Sequence, residues 1–252
     1  AGNGGAQDRV DYDPYTSSRY TFAIGAIGDQ DREASYNETG SSMLVVAHSS
    51  GNNRSITSTT TGSGYTNFFG GTSSASPLAA GAVGLALEAN PALTWRDMQA
   101  LLAETARKCD PADFGWETNA AGKDINYRFG FGAIDAGALV SAAETWEMLP
   151  PEESATSGLV EVNAALPDNN PTGETRTVEI SDDLVIGQVV LNMNVTTPFV
   201  GDLRVSITSP AGTNSIFMVP RSFDPSDDID GFDFLSMRCW GESSAGTWSV
   251  KV

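Results

Sequence analysis

One histidine and two cysteines are all that 252 residues contain of the side chains that most often bind zinc or relay protons near neutral pH. The cysteines, Cys109 and Cys239, lie far apart, which excludes a disulfide-stapled scaffold and leaves two buried or free thiols as the reading. Basic side chains are few, 14 against 32 acidic ones, for a net charge of −18. That balance excludes a nucleic-acid partner, whose phosphates would be repelled, and favours cationic partners such as metal ions or Lys- and Arg-rich substrates. No apolar run approaches the roughly 20 residues of a membrane-spanning helix, so no membrane insertion is expected. No secretory leader and no internal repeat is visible. What is present, 40% apolar and 18% charged residues, fits a globular chain long enough for one large domain or two ordinary ones.

The chain changes texture midway. Residues 1–19 lack periodicity and read as loop. Tyr20 to Gly28 alternates as a strand, and Met43 to Ala47 is a short apolar run typical of a strand buried on both faces. Ser49 to Gly71 is rich in Ser, Thr, Gly and Asn, with an exposed hairpin within it. Ser76 to Ala89 reads as a helix of small residues all round, which predicts burial. Thr94 and Asp97 have capping-box spacing ahead of a second helix, and Asp135 can cap a third that runs to about Trp146. Strands interleaved with helices predict an α/β layer fold. Leu149-Pro150-Pro151-Glu152-Glu153-Ser154 then reads as linker. Beyond it only strands appear: Val178–Ile180, Gln188–Val195, Leu203–Ile207, Ile216–Val219 and Trp248–Val252, the pattern of an all-β sandwich.

Chemistry concentrates in Gly70-Gly71-Thr72-Ser73-Ser74-Ala75-Ser76-Pro77. A Gly-Gly turn delivers Ser73 to a helix start, with a proline that a first helical turn tolerates. Unpaired N–H groups and the helix dipole favour negative charge there, which suits a nucleophile whose reaction passes through an oxyanion. An N-capping serine is the plain alternative. The wording G-T-S-x-x-x-P resembles the nucleophile segment of subtilisin-like serine proteases. Leu85 to Gln99 looks like the kexin and furin branch of that family, and the likeness extends from Gly2-Asn3-Gly4-Gly5 through Arg128-Phe129-Gly130-Phe131-Gly132 and Asp135-Ala136-Gly137 to Gly246-Thr247-Trp248. Gly201-Asp202-Leu203, Ser209-Pro210, Gly212-Thr213 and Trp240-Gly241-Glu242 are similar to words of the P domain that follows the catalytic domain there.

The resemblance implies a partial subtilisin-like α/β catalytic domain, with a parallel sheet and buried helices, over residues 1–147. A linker at 148–158 and a jelly-roll-like all-β P domain over 159–252, one strand short, follow from it. It implies a secreted, cell-surface or periplasmic serine endopeptidase (a hydrolase) acting on polypeptides, cleaving after basic residues through an acyl-enzyme at Ser73. Asn3 resembles the oxyanion-hole asparagine. Asp13, in Asp11-Tyr12-Asp13-Pro14-Tyr15-Thr16, falls where the family has the acid of the P1-arginine pocket, although Pro14 replaces a glycine and the paired cysteines around the loop are absent. Asp8 and Glu38 match two ligands of a calcium ion, Ca²⁺, which carboxylates from separate loops suit. Asp8, Asp11 and Asp13 crowd one loop and would repel unless a cation sits among them.

The triad Asp and His lie upstream of Gly-Asn-Gly-Gly in the family, and His48 lies where the family has no base. It reads as a structural or surface histidine. The chain is therefore expected to be a C-terminal piece that needs the N-terminal part of its own catalytic domain and does not turn over substrate alone. A second class of function, a non-catalytic binding or folding module built on a protease remnant, would be marked by the lack of D-[ST]-G and H-G-T segments upstream. Ser49, after a strand, superficially resembles a nucleophile elbow, but no helix follows it. The acidic run Asp224, Asp227, Asp228, Asp230 and Asp233 reads as a solvated loop, its spacing fitting no EF-hand.

Overall fold

A computed structural model describes residues 1–221 and 224–252. The chain divides into two compact units, Ala1–Glu117 with Asp124–Pro150, and Thr118–Lys123 with Pro151–Val252.

In the first unit, β1 (Ala23–Ile27) pairs in parallel with β2 (Met43–His48), and every residue of both strands except His48 is buried. Such two-faced burial is why both segments read as unbroken small or apolar runs rather than alternating ones. β1 is shorter than the Tyr20–Gly28 alternation suggests. Tyr20 and Thr21 are taken up in a turn closed by Ser18, and Tyr20 is 66% exposed with its ring edge-on to Trp95. The hairpin foreseen after Ser49 is β3 (Ile56–Thr59) with β4 (Tyr65–Phe69), and it stands exposed.

Next come α1 (Thr72–Ala89) and α2 (Trp95–Thr105), the latter opened by a complete Thr94–Asp97 capping box. The short strands β5 (Glu117–Thr118) and β6 (Asp124–Ile125) form a hairpin stem. Helix α3 (Ala136–Glu144) is capped by Asp135 through the Ala138 N–H. Residues 131–134 run beside β2, exchanging hydrogen bonds with Leu44 and Val46. Gly130 makes that approach feasible: its φ is +57°, and a Cβ there would lie 2.2 Å from the Leu44 carbonyl oxygen. Val10, Ile27, Met43, Val46, Cys109, Phe129 and Ala133 form one buried apolar cluster of this unit.

Helix α1 departs from the expectation of burial all round. Ala75, Ala79, Ala82 and Ala86 form a buried stripe, whereas Leu78, Leu85 and Leu87 on the remaining surface are 43%, 52% and 38% exposed. Small residues let α1 approach the sheet closely on one side and leave an apolar surface open on the other.

Apart from a three-residue 3-10 turn at Val200–Asp202, the regular elements among the described residues of the second unit are β-strands. Strands β7 (Thr175–Ile180), β9 (Val205–Thr208), β10 (Asn214–Met218) and β12 (Gly246–Lys251) form an antiparallel sheet in the order β10-β9-β12-β7. β8 (Val189–Val195) pairs antiparallel with β11 (Ile229–Ser236). The two sheets meet through Phe217 on β10 and Phe234 on β11, with ring centroids 5.6 Å apart. β11 corrects the reading of the acidic run as loop throughout. Gly231, at φ +63°, accompanies an irregularity in register that breaks the alternation, and Asp230 and Asp233 face outward. Residues 118–123 pack in this unit, where Asn119 donates to the carbonyls of Arg238 and Trp240, and the buried Glu242 accepts from the Ala120 N–H. Both cysteines are free and buried, and burial pushes each thiol up to about 12. They are inert packing residues near neutral pH.

Candidate active site

Gly71 is the N-cap of α1, with φ 74° and ψ 175°, a combination essentially reserved for glycine. Thr72 is therefore the first helical residue, and Ser73 is the second and exposed. Pro77 falls in the second turn, not the first. Lacking an N–H, it leaves the Ser73 carbonyl without its i+4 donor.

Asn3 comes against this helix start. Its side-chain oxygen accepts from the Thr72 N–H at 2.9 Å and lies 3.2 Å from Thr72 Oγ1, whose hydroxyl donates to the Ala1 carbonyl at 2.6 Å. With the amide oxygen so anchored, Asn3 Nδ2 is the end left to donate beside the helix N-terminus. Glu38 sets the backbone around it: Oε1 accepts from the Gly4 N–H at 2.8 Å and Oε2 from the Gly2 N–H at 3.1 Å. Glu38 is buried although polar, and two backbone donors are what make that tolerable.

Asp8 and Glu38 flank Gly4. A Cβ on that glycine would lie 2.5 Å from Asp8 Cβ and 3.2 Å from Glu38 Oε1. Among the described residues no group of three or more His, Cys, Asp or Glu side chains could hold a metal ion. Two carboxylates supply only part of the six to eight oxygens that Ca²⁺ takes. Asp13 is exposed and turned into its own loop, where Oδ1 accepts from the Tyr15 N–H at 2.7 Å, an Asx turn around Pro14 that uses one of its two oxygens.

The three acids of this loop do not cluster as their spacing suggests. Asp11 is fully buried, with Oδ1 accepting from Ser41 N, Ser41 Oγ and Ser42 N, and Oδ2 from Arg9 Nε and Nη2. Burial pushes its carboxyl above the ordinary range against the pull of Arg9 and Ser41. No feature of the sequence marked it as the inward-facing member of the three.

His48 Nε2 lies 3.0 Å from Asp31 Oδ1, and Arg107 forks onto both oxygens of Asp31 at 2.7 and 3.0 Å. The Arg107 hydrogen bonds hold the Asp31 carboxyl below its ordinary range. This is a surface ion-pair cluster. Ser49, the residue after β2, is buried and donates to the Gly71 carbonyl.

The model of the subtilase family matches residues 1–132, and that of the proprotein convertase P-domain matches residues 186–252. The chain belongs to the subtilase family. A PC3-like endoprotease of Hydra vulgaris (variant B) is 39% identical over 266 residues, covering 100% of this chain and 37% of that protein. Human proprotein convertase subtilisin/kexin type 7 is 36% identical over 268 residues, covering 100% of this chain and 34% of that protein. The chain thus spans about a third of the length of these two relatives. In fold it is similar to the serine protease of Aeromonas sobria solved with its chaperone, with TM-score 0.84 and 24% identity over 100% of this chain and 53% of that one. That likeness concerns the fold alone. No helix among the described residues is long and apolar enough to cross a membrane.

Proposed function

We propose that the protein is a serine endopeptidase in which Ser73 Oγ attacks the scissile carbonyl and forms an acyl-enzyme. The observation that carries this reading is the Asn3–Thr72 hydrogen bond, which leaves an amide donor beside an exposed serine at a helix N-terminus. The tetrahedral oxyanion would then receive hydrogen bonds from Asn3 Nδ2 and the Ser73 N–H, with the helix dipole adding to both. A hydroxyl needs a base, and the single histidine is engaged by Asp31. We assign the base and its orienting acid to a segment outside residues 1–252, and to the same segment the cover for the open apolar surface of α1. Residues 1–252 alone are then inactive.

Substrates are polypeptides cleaved after basic residues, with Asp13 supplying the charge that pairs with P1 arginine. The net charge of −18 helps to attract such substrates at low salt. Support comes from the Tyr12-Asp13-x-Tyr15-Thr16 wording and from the second oxygen of Asp13, which its Asx turn does not use. The complete protein should cleave a peptide with Arg at P1 faster than its Leu counterpart. Asp13→Asn should lose roughly 2–5 kcal/mol of transition-state stabilisation on the Arg peptide while Leu turnover changes little. Equal losses on both peptides would make Asp13 a support of its loop and no more.

Asp8 and Glu38 would hold a calcium ion together with carbonyl or water oxygens, and its part would be structural, joining the loop before β1 to the loop after it. Adding calcium to the metal-free complete protein should raise its melting temperature, and Asp8→Asn should diminish that rise. An unchanged melting temperature on addition of calcium would remove the site.

A further inference from the structure

The turn that presents Ser73 is held from below by hydroxyl groups that neither the nucleophile nor the oxyanion donors account for. Ser49 Oγ donates to the Gly71 carbonyl at 2.6 Å, which uses its only proton. It then accepts from Ser74 Oγ at 2.8 Å, and Tyr36 OH shares its one proton between Ser49 Oγ at 2.9 Å and the Ser50 carbonyl at 2.5 Å. Ser50 Oγ accepts from the Gly71 N–H at 3.3 Å and lies 3.1 Å from Tyr36 OH. Ser49 and Ser74 are 3% and 4% exposed, which shields these bonds from competing water. Gly70 packs directly against Ser50, a Cβ there falling 1.8 Å from Ser50 Oγ.

These contacts converge on Gly71, whose backbone at φ 74° and ψ 175° is open to glycine and essentially closed to other residues. Glycine reaches this conformation without steric strain but has many others open to it, so hydrogen bonds from the surroundings are what hold it in this one. Rotation of the Gly71–Thr72 peptide would swing the carbonyl off Ser49, move the Thr72 N–H off Asn3, and redirect Ser73 with it. Tyr36 is also tied to the opposite arm of the site, because its carbonyl accepts from the Gly5 N–H and Glu38, two residues on, holds Gly2 and Gly4 on either side of Asn3.

We propose that Tyr36 and Ser49 are positioning residues for catalysis, a pair of hydroxyls, half-buried and buried, that locks the Gly71 carbonyl and thereby sets Ser73 against Asn3. This rests on the assignment of Ser73 as nucleophile. Neither residue touches substrate in this scheme. Both act through Gly71.

The test uses the complete protein, with turnover expressed per serine titrated by a fluorophosphonate so that unfolded molecules are not counted. Tyr36→Phe and Ser49→Ala should each lower kcat per titrated site about tenfold with KM nearly unchanged, the scale of one lost hydrogen bond. The double variant should fall little below the worse single one, because both act on one carbonyl. Ser49→Thr, which keeps the hydroxyl, should recover most of the loss. Unchanged kcat per titrated site in both single variants, with the adduct at Ser73, overturns this proposal alone. An adduct at another serine in the unmodified protein fails the nucleophile assignment itself, and this proposal with it.

Discussion

Replacing Ser73 by alanine in the complete protein is expected to lower kcat by about 10⁶-fold, the scale measured when subtilisin loses its nucleophile. KM should change little, since an exposed hydroxyl contributes almost nothing to ground-state binding. Ser73 is the second residue of α1 and its side chain is exposed, so the substitution removes no packing, and alanine is a strong helix former. The melting temperature should therefore stay close to that of the parent. Residues 1–252 produced alone should show the same floor of activity, because the only histidine is bound to Asp31 and has no part in activating Ser73. Kinetics on a fluorogenic peptide, with protein concentration fixed by absorbance, measure both. Appreciable turnover by Ser73→Ala would place the nucleophile elsewhere.

Two substitutions at Asn3 separate its two ends. Asn3→Ala should cost roughly 10²–10³ in kcat, the usual loss for one oxyanion-hole donor. That variant also deprives the Thr72 N–H of its acceptor, so on its own it mixes positioning with catalysis. Asn3→Asp keeps an oxygen for Thr72 but presents no donor to the developing oxyanion and adds a negative charge beside it. It should fold as the parent does and lose at least as much kcat as Asn3→Ala. If Asn3→Asp retained parental kcat, the amide nitrogen would have no role in the reaction, and Asn3 would be only an acceptor at the start of α1.

Much of the first unit is legible in the sequence because its signals are local. Gly71 before Thr72-Ser73, the Thr94–Asp97 capping box and the Asp135 cap are chemistry of a few adjacent residues, and the helices begin within a residue or two of them. In the second unit the strand read over Gln188–Val195 is β8, where Val189, Leu191, Met193 and Val195 alternate with exposed neighbours. What escapes is settled by partners distant in sequence. The inward turn of Asp11 depends on Ser41, and the burial of Ser49 on Tyr36 and Gly71. β11 escapes because an acidic run and a glycine at positive φ obscure its period. The open side of α1 has the composition of a buried surface, since composition reports what a helix is made to face and not what lies against it in residues 1–252.

The same division holds at the site. The Gly-Thr-Ser-x-x-x-Pro wording singles out Ser73 and the Gly-Asn-Gly-Gly wording singles out Asn3, but nothing local announces that the two meet at Thr72. That meeting needs the Glu38 carboxylate on the N–H groups of Gly2 and Gly4, 34 and 36 residues away. Pro77 was legible as a helix residue, and its displacement into the second turn follows from Gly71, not Ser73, serving as the cap.

The central claim, that Ser73 is the nucleophile, is tested most directly by treating the complete protein with a fluorophosphonate and locating the adduct by peptide mass spectrometry. One adduct, on Ser73 within the peptide containing Gly70 to Pro77, with loss of peptidase activity in proportion to labelling, is the predicted result. An adduct on Ser49 or another serine, or full inactivation with Ser73 unmodified, would contradict it.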